Sequence, residues 1–496
     1  MRGSSYTLEP FAKRNMSDGY DFLRDDKSMR PAKVEDLGAL LPRINVPVPG
    51  PRSAEIAEVL AKYESTAGSA MILGKVPVAW KYAKGANVVD ADNNVYVDFT
   101  SGFFVANAGH AHPEVVDAIK KQADVLMHTQ GAAAPHVLRA QLAKKLVDLT
   151  SPSRLARVHI ASTGAEAVEI AFKFAKAYTG AFEILAFHGG FHGKTQGALS
   201  LSTARHLREA FLPLLPGAIH APYAYCYRCV FGREYPDCGM HCLSYIDYLL
   251  SSPATGVDRL AAMILEPVQG YGGIIIPPDE FVAGLRRICN EHKILLILDE
   301  IITGFGRTGK LFGYQHSGAE PDLLVLGKGM ASGFPISAVL ATEDIMRSPK
   351  IMPSPTEFLP RVTSTFMGYP IGCAAALASI NVITRERLPE RAAELGAHLK
   401  KRFQEMQKDH KIIGEARAKG LMAGIELVKD KKSKKPASKE AVQAVQEVYK
   451  RGVIVNPGGT FENVIRISPP LVITKEQLDC GLDIVNEAIS VVEKTV

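Results

Sequence analysis

Short apolar runs that alternate with helical patterns are the sequence feature that most restricts the fold of this chain. The runs are bounded by turn residues and are almost continuously hydrophobic, as in strands that are buried on both faces. They lie at residues 158–161, 184–187, 263–265, 294–298, 323–326 and 337–340, and helical periodicity covers residues 165–178, 279–292 and 367–383. This alternation predicts an α/β fold with a mainly parallel central sheet, covered by helices on both sides.

The pattern changes near residue 385, and the change predicts a second, smaller α+β domain. Long amphipathic helices there surround short strands near residues 421–428, 453–455 and 464–467. A chain of 496 residues also exceeds the size of one typical hydrophobic core. Residues 99–384 are therefore predicted to form the large domain.

The composition of the chain indicates which kinds of partner it binds and where in the cell it is located. The apolar share of 47% and the charged share of 22% are those of an ordinary globular protein, and the net charge of +6 is spread along the chain. No apolar stretch is long enough to span a bilayer, and the N-terminus lacks a hydrophobic signal core. Residues 1–52 mix charged residues with proline and predict an extended arm that packs on a partner subunit. We therefore expect a cytoplasmic protein with neither nucleic acid nor membrane as a partner.

An aspartate and a lysine follow two of the apolar runs. Asp299 closes the run at 294–298, and Lys328 follows the run at 323–326. The carboxyl ends of parallel strands meet at one edge of a sheet, where open α/β folds bind ligands, and a buried charge there needs a partner. Pyridoxal 5'-phosphate would satisfy both groups, with the lysine as a Schiff base and the aspartate as counter-ion to the ring nitrogen. The pair therefore predicts this cofactor.

The segment after the first apolar run is suited to a phosphate. Ser162-Thr163-Gly164-Ala165-Glu166-Ala167 follows a predicted strand and opens a helix. Free N–H groups and the helix dipole attract an anion at such a position, and Gly164 permits close approach of the backbone. Taken alone, the same pattern is also typical of an ordinary helix cap.

The segment Leu298–Gly309, with Pro321-Asp322 and Gly327-Lys328-Gly329 after it, resembles the signature of class III, or ω-type, aminotransferases. The similarity extends over all but the N-terminal segment. It implies a fold-type I enzyme, and a homodimer with shared active sites or a higher oligomer. It also implies that residues 53–98 join residues 385–496 in the smaller domain.

The resemblance implies a set of residues around the cofactor. Phe191 would stack on one face of the ring and Ile301 would close the other face. Thr365 would reach from one subunit to the phosphate bound by its neighbour. His192 would lie beside the ring, where it could orient Asp299 or bond to a loop carbonyl. The implied cofactor-binding residues are Gly164, Ala165, Phe191, His192, Asp299, Ile301, Lys328 and Thr365.

Lys328, Asp299 and Glu266 are the predicted catalytic residues. Lys328 would move a proton as general base and acid, while Asp299 keeps the cofactor ring protonated. Glu266 matches a family position near the substrate, and a carboxylate at a buried strand end needs a partner. Arg466 resembles the arginine that binds a substrate carboxylate, although a surface salt bridge would explain the residue equally well.

The sequence departs from the 4-aminobutyrate aminotransferases at three positions. Tyr271 stands where those enzymes carry a glutamate that neutralises the substrate arginine, and Ile302 stands where some members place a glutamine. Lys194 replaces an arginine and cannot reproduce its bidentate contact. These differences argue against 4-aminobutyrate as substrate and leave the cofactor chemistry intact. Arg466, Lys194 and Tyr271 are the predicted substrate-binding residues.

The predicted reaction is a ping-pong transfer of an amino group from an amine or ω-amino acid to a 2-oxo acid, either pyruvate or 2-oxoglutarate. The alternative is an amino-acid racemase or epimerase, because the family includes such enzymes and the cysteine-rich segment resembles theirs. Racemisation returns the proton to the opposite face of the same carbon. A 2,2-dialkylglycine-type decarboxylase and a cofactor-binding protein without turnover are further alternatives.

Four of the seven cysteines lie in a predicted insertion at residues 223–245, namely Cys226, Cys229, Cys238 and Cys242. Their spacing is compatible with zinc, an iron–sulfur cluster or disulfides. A compact loop that packs under a lid would explain the segment equally well. Because nothing else in the sequence supports a metal, none is predicted.

Overall fold

The computed structural model describes residues 37–65, 77–352, 354, 356–357 and 360–494. Most of the predicted N-terminal arm lies outside the described residues. From Leu37 onward the chain forms one unit, and its division into a large and a small domain remains a prediction. Within the described ranges, no helix is both long enough and apolar enough to span a membrane.

Strands and helices alternate along most of the chain. The strands are β1 Trp80–Lys84, β2 Asn87–Asp90, β3 Val95–Asp98, β4 Arg157–Ala161, β5 Glu183–Phe187, β6 Ala218–Ala221, β7 Leu260–Leu265, β8 Leu295–Asp299, β9 Leu323–Leu326, β10 Ser337–Ala341, β11 Ile413–Lys419, β12 Met422–Leu427, β13 Val453–Ile454, β14 Asn456–Gly458 and β15 Val464–Ile467. The helices are α1 Pro51–Tyr63, α2 Ser101–Phe104, α3 Pro113–Val125, α4 Val137–Thr150, α5 Gly164–Thr179, α6 Gln196–Leu201, α7 Arg205–Arg208, α8 His241–Ser251, α9 Asp279–His292, α10 Glu343–Met346, α11 Pro370–Arg385, α12 Leu388–Asp409, α13 Ser438–Lys450 and α14 Lys475–Glu493.

The central sheet has seven strands in the order β4-β10-β9-β8-β7-β5-β6. Strand β10 runs antiparallel to both of its neighbours, and the remaining pairs are parallel. The predicted mainly parallel sheet is thus confirmed. Asp299 at the end of β8 pairs with Val325 of β9, so the carboxyl ends of these two strands lie side by side.

Both faces of this sheet are buried, which explains the continuous apolar runs. Leu323 and Val325 of β9 belong to one core cluster, and Leu324 and Leu326 belong to another. Successive side chains of a strand point to opposite faces, so each face packs against its own layer. Every residue of β9 is buried.

Two four-stranded sheets complete the fold, in the orders β1-β2-β3-β13 and β11-β12-β15-β14. In the first sheet, Val453 of β13 pairs in parallel with Val97 of β3, so strands from the first and last fifths of the chain lie side by side. In the second sheet, β15 pairs with β12 on one side and β14 on the other. The second sheet therefore fixes the position of Arg466.

Several boundaries differ from the sequence prediction. Helix α11 begins at Pro370 rather than at residue 367, because Gly368 has a φ of 60° and proline fits the first turn of a helix. No strand was predicted from the sequence at β1, β2, β3, β6, β11 or β14. Two of these strands, β6 and β11, show why. Both lie at the edges of their sheets and are only partly buried, so they lack a continuous apolar run.

Candidate active site

Three ionisable residues follow neighbouring parallel strands of the central sheet. Glu266 follows β7, Asp299 ends β8, and Lys328 follows β9. Strands β7, β8 and β9 pair in parallel, which brings all three residues to one edge. The charges of both carboxylates act on the lysine. The three predicted catalytic residues therefore occupy one cleft.

Lys328 is held in an unusual environment. Its backbone has a φ of 42°, a left-handed conformation that side chains with a Cβ rarely adopt. Its Nζ lies 5.7 Å from the centroid of the Phe104 ring and forms no ion pair with a carboxylate of the described residues. Burial lowers the pKa of Lys328 to about 8, although Glu266 and Asp299 oppose this effect. The side chain is therefore partly a neutral amine near neutral pH, as a nucleophile requires.

Asp299 is fixed by a buried histidine. His192 Nδ1 lies 2.8 Å from Asp299 Oδ2, and the backbone N–H of Ile301 donates to Asp299 Oδ1 at 3.1 Å. Burial lowers the pKa of His192, but the hydrogen bond and charge of Asp299 outweigh it, so that the pKa is raised. Of the two alternatives for His192, the structure shows the contact with Asp299.

Glu266 links two loops at the same edge. Its Oε1 accepts a hydrogen bond from the N–H of Phe191 at 3.1 Å, and its Oε2 accepts one from the N–H of Gly270 at 2.9 Å. Burial raises the pKa of Glu266 to about 7, although the charge of His192 opposes this effect. The carboxyl group can therefore gain or lose a proton near neutral pH.

The rings of Phe191 and Tyr271 stack on each other. Their ring centroids are 5.3 Å apart, with an angle of 23° between the ring planes. The hydroxyl of Tyr271 lies 2.7 Å from His206 Nε2. Burial raises the pKa of Tyr271, and the charge of Arg466 opposes the effect. Tyr271 is thus a neutral, hydrogen-bonded phenol beside Phe191.

The first turn of α5 forms a cradle for an anion. Thr163 caps the helix by accepting the N–H of Glu166 at 3.3 Å, whereas the N–H groups of Gly164 and Ala165 have no partner among the described residues. A Cβ on Gly164 would lie 2.9 Å from Cδ1 of Ile301, so only glycine allows this close approach. Unpaired N–H groups at a helix start fit a phosphate.

Arg466 carries a buried charge without a carboxylate partner. Its Nη2 donates to the carbonyl oxygen of Pro457 at 3.0 Å, and its buried Nε has no partner among the described residues. Burial lowers the pKa of Arg466 to about 10. The alternative of a surface salt bridge is not observed within the described part of the chain. The charge of Arg466 also acts on Lys328, so the guanidinium lies near this amine.

Two predicted site residues lie outside this buried group. Lys194 is exposed, although it is near His192 in sequence. Thr365 is also exposed. Its backbone lies close to Gly131, since a Cβ placed on Gly131 would be 2.9 Å from the carbonyl oxygen of Thr365. Their proposed contacts with substrate and with a neighbouring cofactor remain predictions.

Three residues near the cleft were not predicted. Phe104 gave no signal because it resembles an ordinary core residue, and His206 lies in the short exposed helix α7. Arg307 is fully buried and donates to Ser101 Oγ at 3.1 Å and Asn107 Oδ1 at 2.7 Å. The charge of Arg307 lowers the pKa of Lys328 slightly. In the sequence, only the position of Arg307 among the glycines of the Leu298–Gly309 segment could have indicated a role in the site.

Comparison with solved structures gives the class of protein. An amine transaminase from an uncultivated Pseudomonas species, solved with pyridoxal phosphate bound, matches with a TM-score of 0.80 and 31% identity, over 86% of this chain and 98% of that one. The chain has the fold of the fold-type I transaminases, and its cofactor is pyridoxal 5'-phosphate.

Comparison of sequences then gives the family. The profile of the class-III aminotransferases matches residues 70–489, and the chain belongs to this family of enzymes. A leucine/methionine racemase of Thermococcus litoralis is 37% identical over 88% of this chain and 96% of the relative. An acetylornithine aminotransferase of Methanothermobacter thermautotrophicus is 38% identical over 84% of this chain and 94% of the relative. The predicted family, fold and cofactor are confirmed.

Proposed function

We propose that the protein is an aminotransferase that moves an amino group from an amine or ω-amino acid to a 2-oxo acid, such as pyruvate or 2-oxoglutarate. The observation that carries this proposal is the unpaired guanidinium of Arg466 in the cleft of Lys328. A buried cation without a counter-ion is costly, and a substrate carboxylate would supply one with two parallel hydrogen bonds. The 2-oxo acid acceptor has such a carboxylate.

Bound pyridoxal phosphate supplies an aldehyde that condenses with amines and a ring that accepts electrons. Lys328 would supply the amine that holds the cofactor, and its Nζ would take the proton from the substrate carbon. The carboxylate of Asp299 would act as counter-ion to the ring nitrogen, and His192 keeps that carboxylate in place. The unpaired N–H groups of Gly164 and Ala165 would hold the phosphate.

The side chains that could carry a proton favour transfer of the amino group over racemisation. A racemase that uses two groups needs a second one to exchange a proton on the face opposite the lysine. Tyr271 lies against Phe191, but burial raises its pKa and its hydroxyl is bonded to His206. A neutral phenol is a poor proton acceptor near neutral pH, so Lys328 is the better supported proton carrier.

An amino-acid racemase or epimerase is the second candidate. It is favoured by the 37% identity to the leucine/methionine racemase of Thermococcus litoralis over most of both chains. The unpaired Arg466 would suit its substrates equally well, because a racemase also binds an α-carboxylate. The two candidates differ in where the proton and the amino group end up, and this difference can be measured.

The test adds excess L-alanine to the cofactor-loaded enzyme without any oxo acid. Transamination predicts about one equivalent of pyruvate per active site, a lasting shift of cofactor absorption from the visible to the near ultraviolet, and recovery on addition of 2-oxoglutarate. D-alanine in large excess over enzyme, with visible absorption retained, would establish the racemase instead. Lys328→Ala is the inactive control. If no amine, α-amino acid or ω-amino acid in a donor panel caused either change, both candidates would be rejected.

A further inference from the structure

Four cysteines around the start of α8 converge on one small cavity. Cys226 lies in a short 3₁₀ turn, Cys229 follows that turn, Cys238 precedes α8, and Cys242 lies in its first turn. All four line the same cavity, which has a volume of about 20 Å³. A cavity of this size has room for about one water-sized particle. Residues distant by up to sixteen positions therefore share a space that suits a single small ion.

The surroundings of these thiols also suit an ion. None of the four forms a disulfide. The rings of Phe231 and His241, which also line the cavity, pack with their centroids 5.1 Å apart.

We propose that Cys226, Cys229, Cys238 and Cys242 bind one zinc ion as a structural site. Four thiolates fill every position of tetrahedral zinc, so no position remains for substrate or water. The pairs Cys226/Cys229 and Cys238/Cys242 have the short separations that are typical of zinc ligands. Soft thiolate ligands favour zinc over magnesium and calcium, which prefer oxygen.

Binding requires the two turns to move closer together. Among the described residues, no three of the four sulfurs lie within 4.8 Å of one another, whereas tetrahedral zinc holds its sulfurs about 3.8 Å apart. The turns have room for this movement. A Cβ on Gly232, which lies between the two cysteine pairs, or on Gly239, which lies between Cys238 and Cys242, would meet no atom within 4 Å.

The proposed zinc site would hold the insertion against the substrate side of the cleft. Tyr225 and Arg228, on either side of Cys226, both hydrogen-bond to Glu426 of β12, the arginine at 2.5 Å. Glu426 also accepts from Arg417 at 2.8 Å, and Arg417 donates to the carbonyl oxygen of Gly273 at 2.6 Å. Gly273 belongs to the loop that carries Tyr271. Zinc at the cysteines would therefore brace this loop through a continuous set of hydrogen bonds.

The test measures the zinc content of the full-length holoenzyme, produced with added zinc and dialysed to remove loosely bound metal. We expect about one zinc per chain, released by a mercurial reagent that blocks thiols. Cys226→Ala and Cys238→Ala should lose the metal and melt at a lower temperature. Cys480→Ala is the matched control, because Cys480 is also partly buried but lies in α14, outside the cluster. It should keep its zinc.

A second measurement does not depend on the folding of any variant. Cobalt(II) added to the wild-type protein after removal of zinc should give the intense thiolate-to-cobalt absorption of a tetrahedral sulfur site. Wild-type protein with less than a tenth of an equivalent of zinc, or with stoichiometric iron and sulfide, would overturn the proposal. So would disulfides among these cysteines in peptide mapping, or zinc that is retained by Cys238→Ala.

Discussion

Lys328 shows how burial prepares a single residue for chemistry. The free energy lost on removing the ammonium from water lowers its pKa from the ordinary value of 10.5 to about 8, even though two carboxylates lie nearby. Its left-handed backbone is a further local strain of the kind that collects at functional sites. Packing around the residue, rather than any neighbour in sequence, sets both properties.

The pKa of Lys328 predicts how cofactor capture depends on pH. Because only the neutral amine attacks the aldehyde, the rate at which apoprotein binds pyridoxal phosphate should rise with pH through about 8. Its neutral fraction should grow from roughly a tenth at pH 7 to roughly a half at pH 8. Stopped-flow absorption across a pH series measures the rate. A rise that began only near pH 10 would show that burial does not shift this lysine.

Substitution of the ring-nitrogen partner should separate cofactor binding from turnover. Asp299→Asn should keep the visible cofactor band but lose turnover by about 10²-fold or more, because the amide cannot hold the ring nitrogen protonated. His192→Asn should cost less, and the double variant should be no worse than Asp299→Asn, since His192 acts through Asp299. Single-turnover rates and cofactor spectra are the measurements. A near-normal rate in Asp299→Asn would remove the aspartate from the mechanism.

The unpaired guanidinium predicts selective loss of acidic substrates. Arg466→Met should raise KM for 2-oxo acids by roughly ten- to a hundredfold, as expected for loss of a charged hydrogen-bonded pair. Turnover of an amine donor without a carboxylate, measured in its own half-reaction, should change little. Equal losses for both kinds of substrate would show that Arg466 supports the fold rather than the carboxylate.

The start of helix α5 shows how an element, and not a single side chain, makes a site. Its free N–H groups exist because a helix leaves its first turn unpaired, and β4 delivers that turn to the edge where β8 and β9 also end. The sequence shows both the apolar run of β4 and the residue Thr163 that caps α5. It does not show that Ile301 lies against Gly164, because Ile301 follows a different strand.

Gly164 provides a test of this cradle. Gly164→Ala should weaken binding of pyridoxal phosphate by roughly tenfold, since its Cβ would lie 2.9 Å from Ile301 Cδ1 and push the helix start away. Ile301→Val removes that Cδ1, so the double variant should regain part of the affinity. Equilibrium dialysis of the apoprotein measures the Kd. If the double variant bound no better than Gly164→Ala, the proposed steric cause would be wrong.

At the scale of the whole molecule, the exposed position of Thr365 bears on assembly. If Thr365 bound the phosphate of its own subunit, we would expect it to be buried there. Its exposure instead leaves it free to contact a neighbouring subunit. The homodimer with shared active sites remains a prediction of family resemblance. Its geometry can be tested without a structure of the complex.

Mixing inactive subunits distinguishes shared from separate sites. Lys328→Ala and Thr365→Ala chains, co-refolded, should form heterodimers in which one site carries both changes and the other site carries neither. Activity should therefore exceed that of either homodimer and approach a quarter of wild type in a random equal mixture. If Thr365 served its own subunit, every heterodimer site would carry one defect and mixing would restore nothing. Light scattering confirms the size of the assembly.

The sequence by itself determined the central sheet, its chemical edge and the cofactor. A strand that is buried on both faces must be apolar throughout, so β5, β7, β8 and β9 were predictable as apolar runs. The ionisable residues at the ends of β7, β8 and β9 each needed a partner. The motif around Asp299 and Lys328 then fixed the family.

Only the tertiary structure decided which partners the polar groups find. His192 and Asp299 are separated by 107 positions and meet because parallel pairing places their strand ends at one edge. Arg466 lacks a counter-ion because the sheet of β12 and β15 buries it where no carboxylate of the described residues reaches. Partners distant in sequence leave no local pattern, because long-range packing alone creates their contacts.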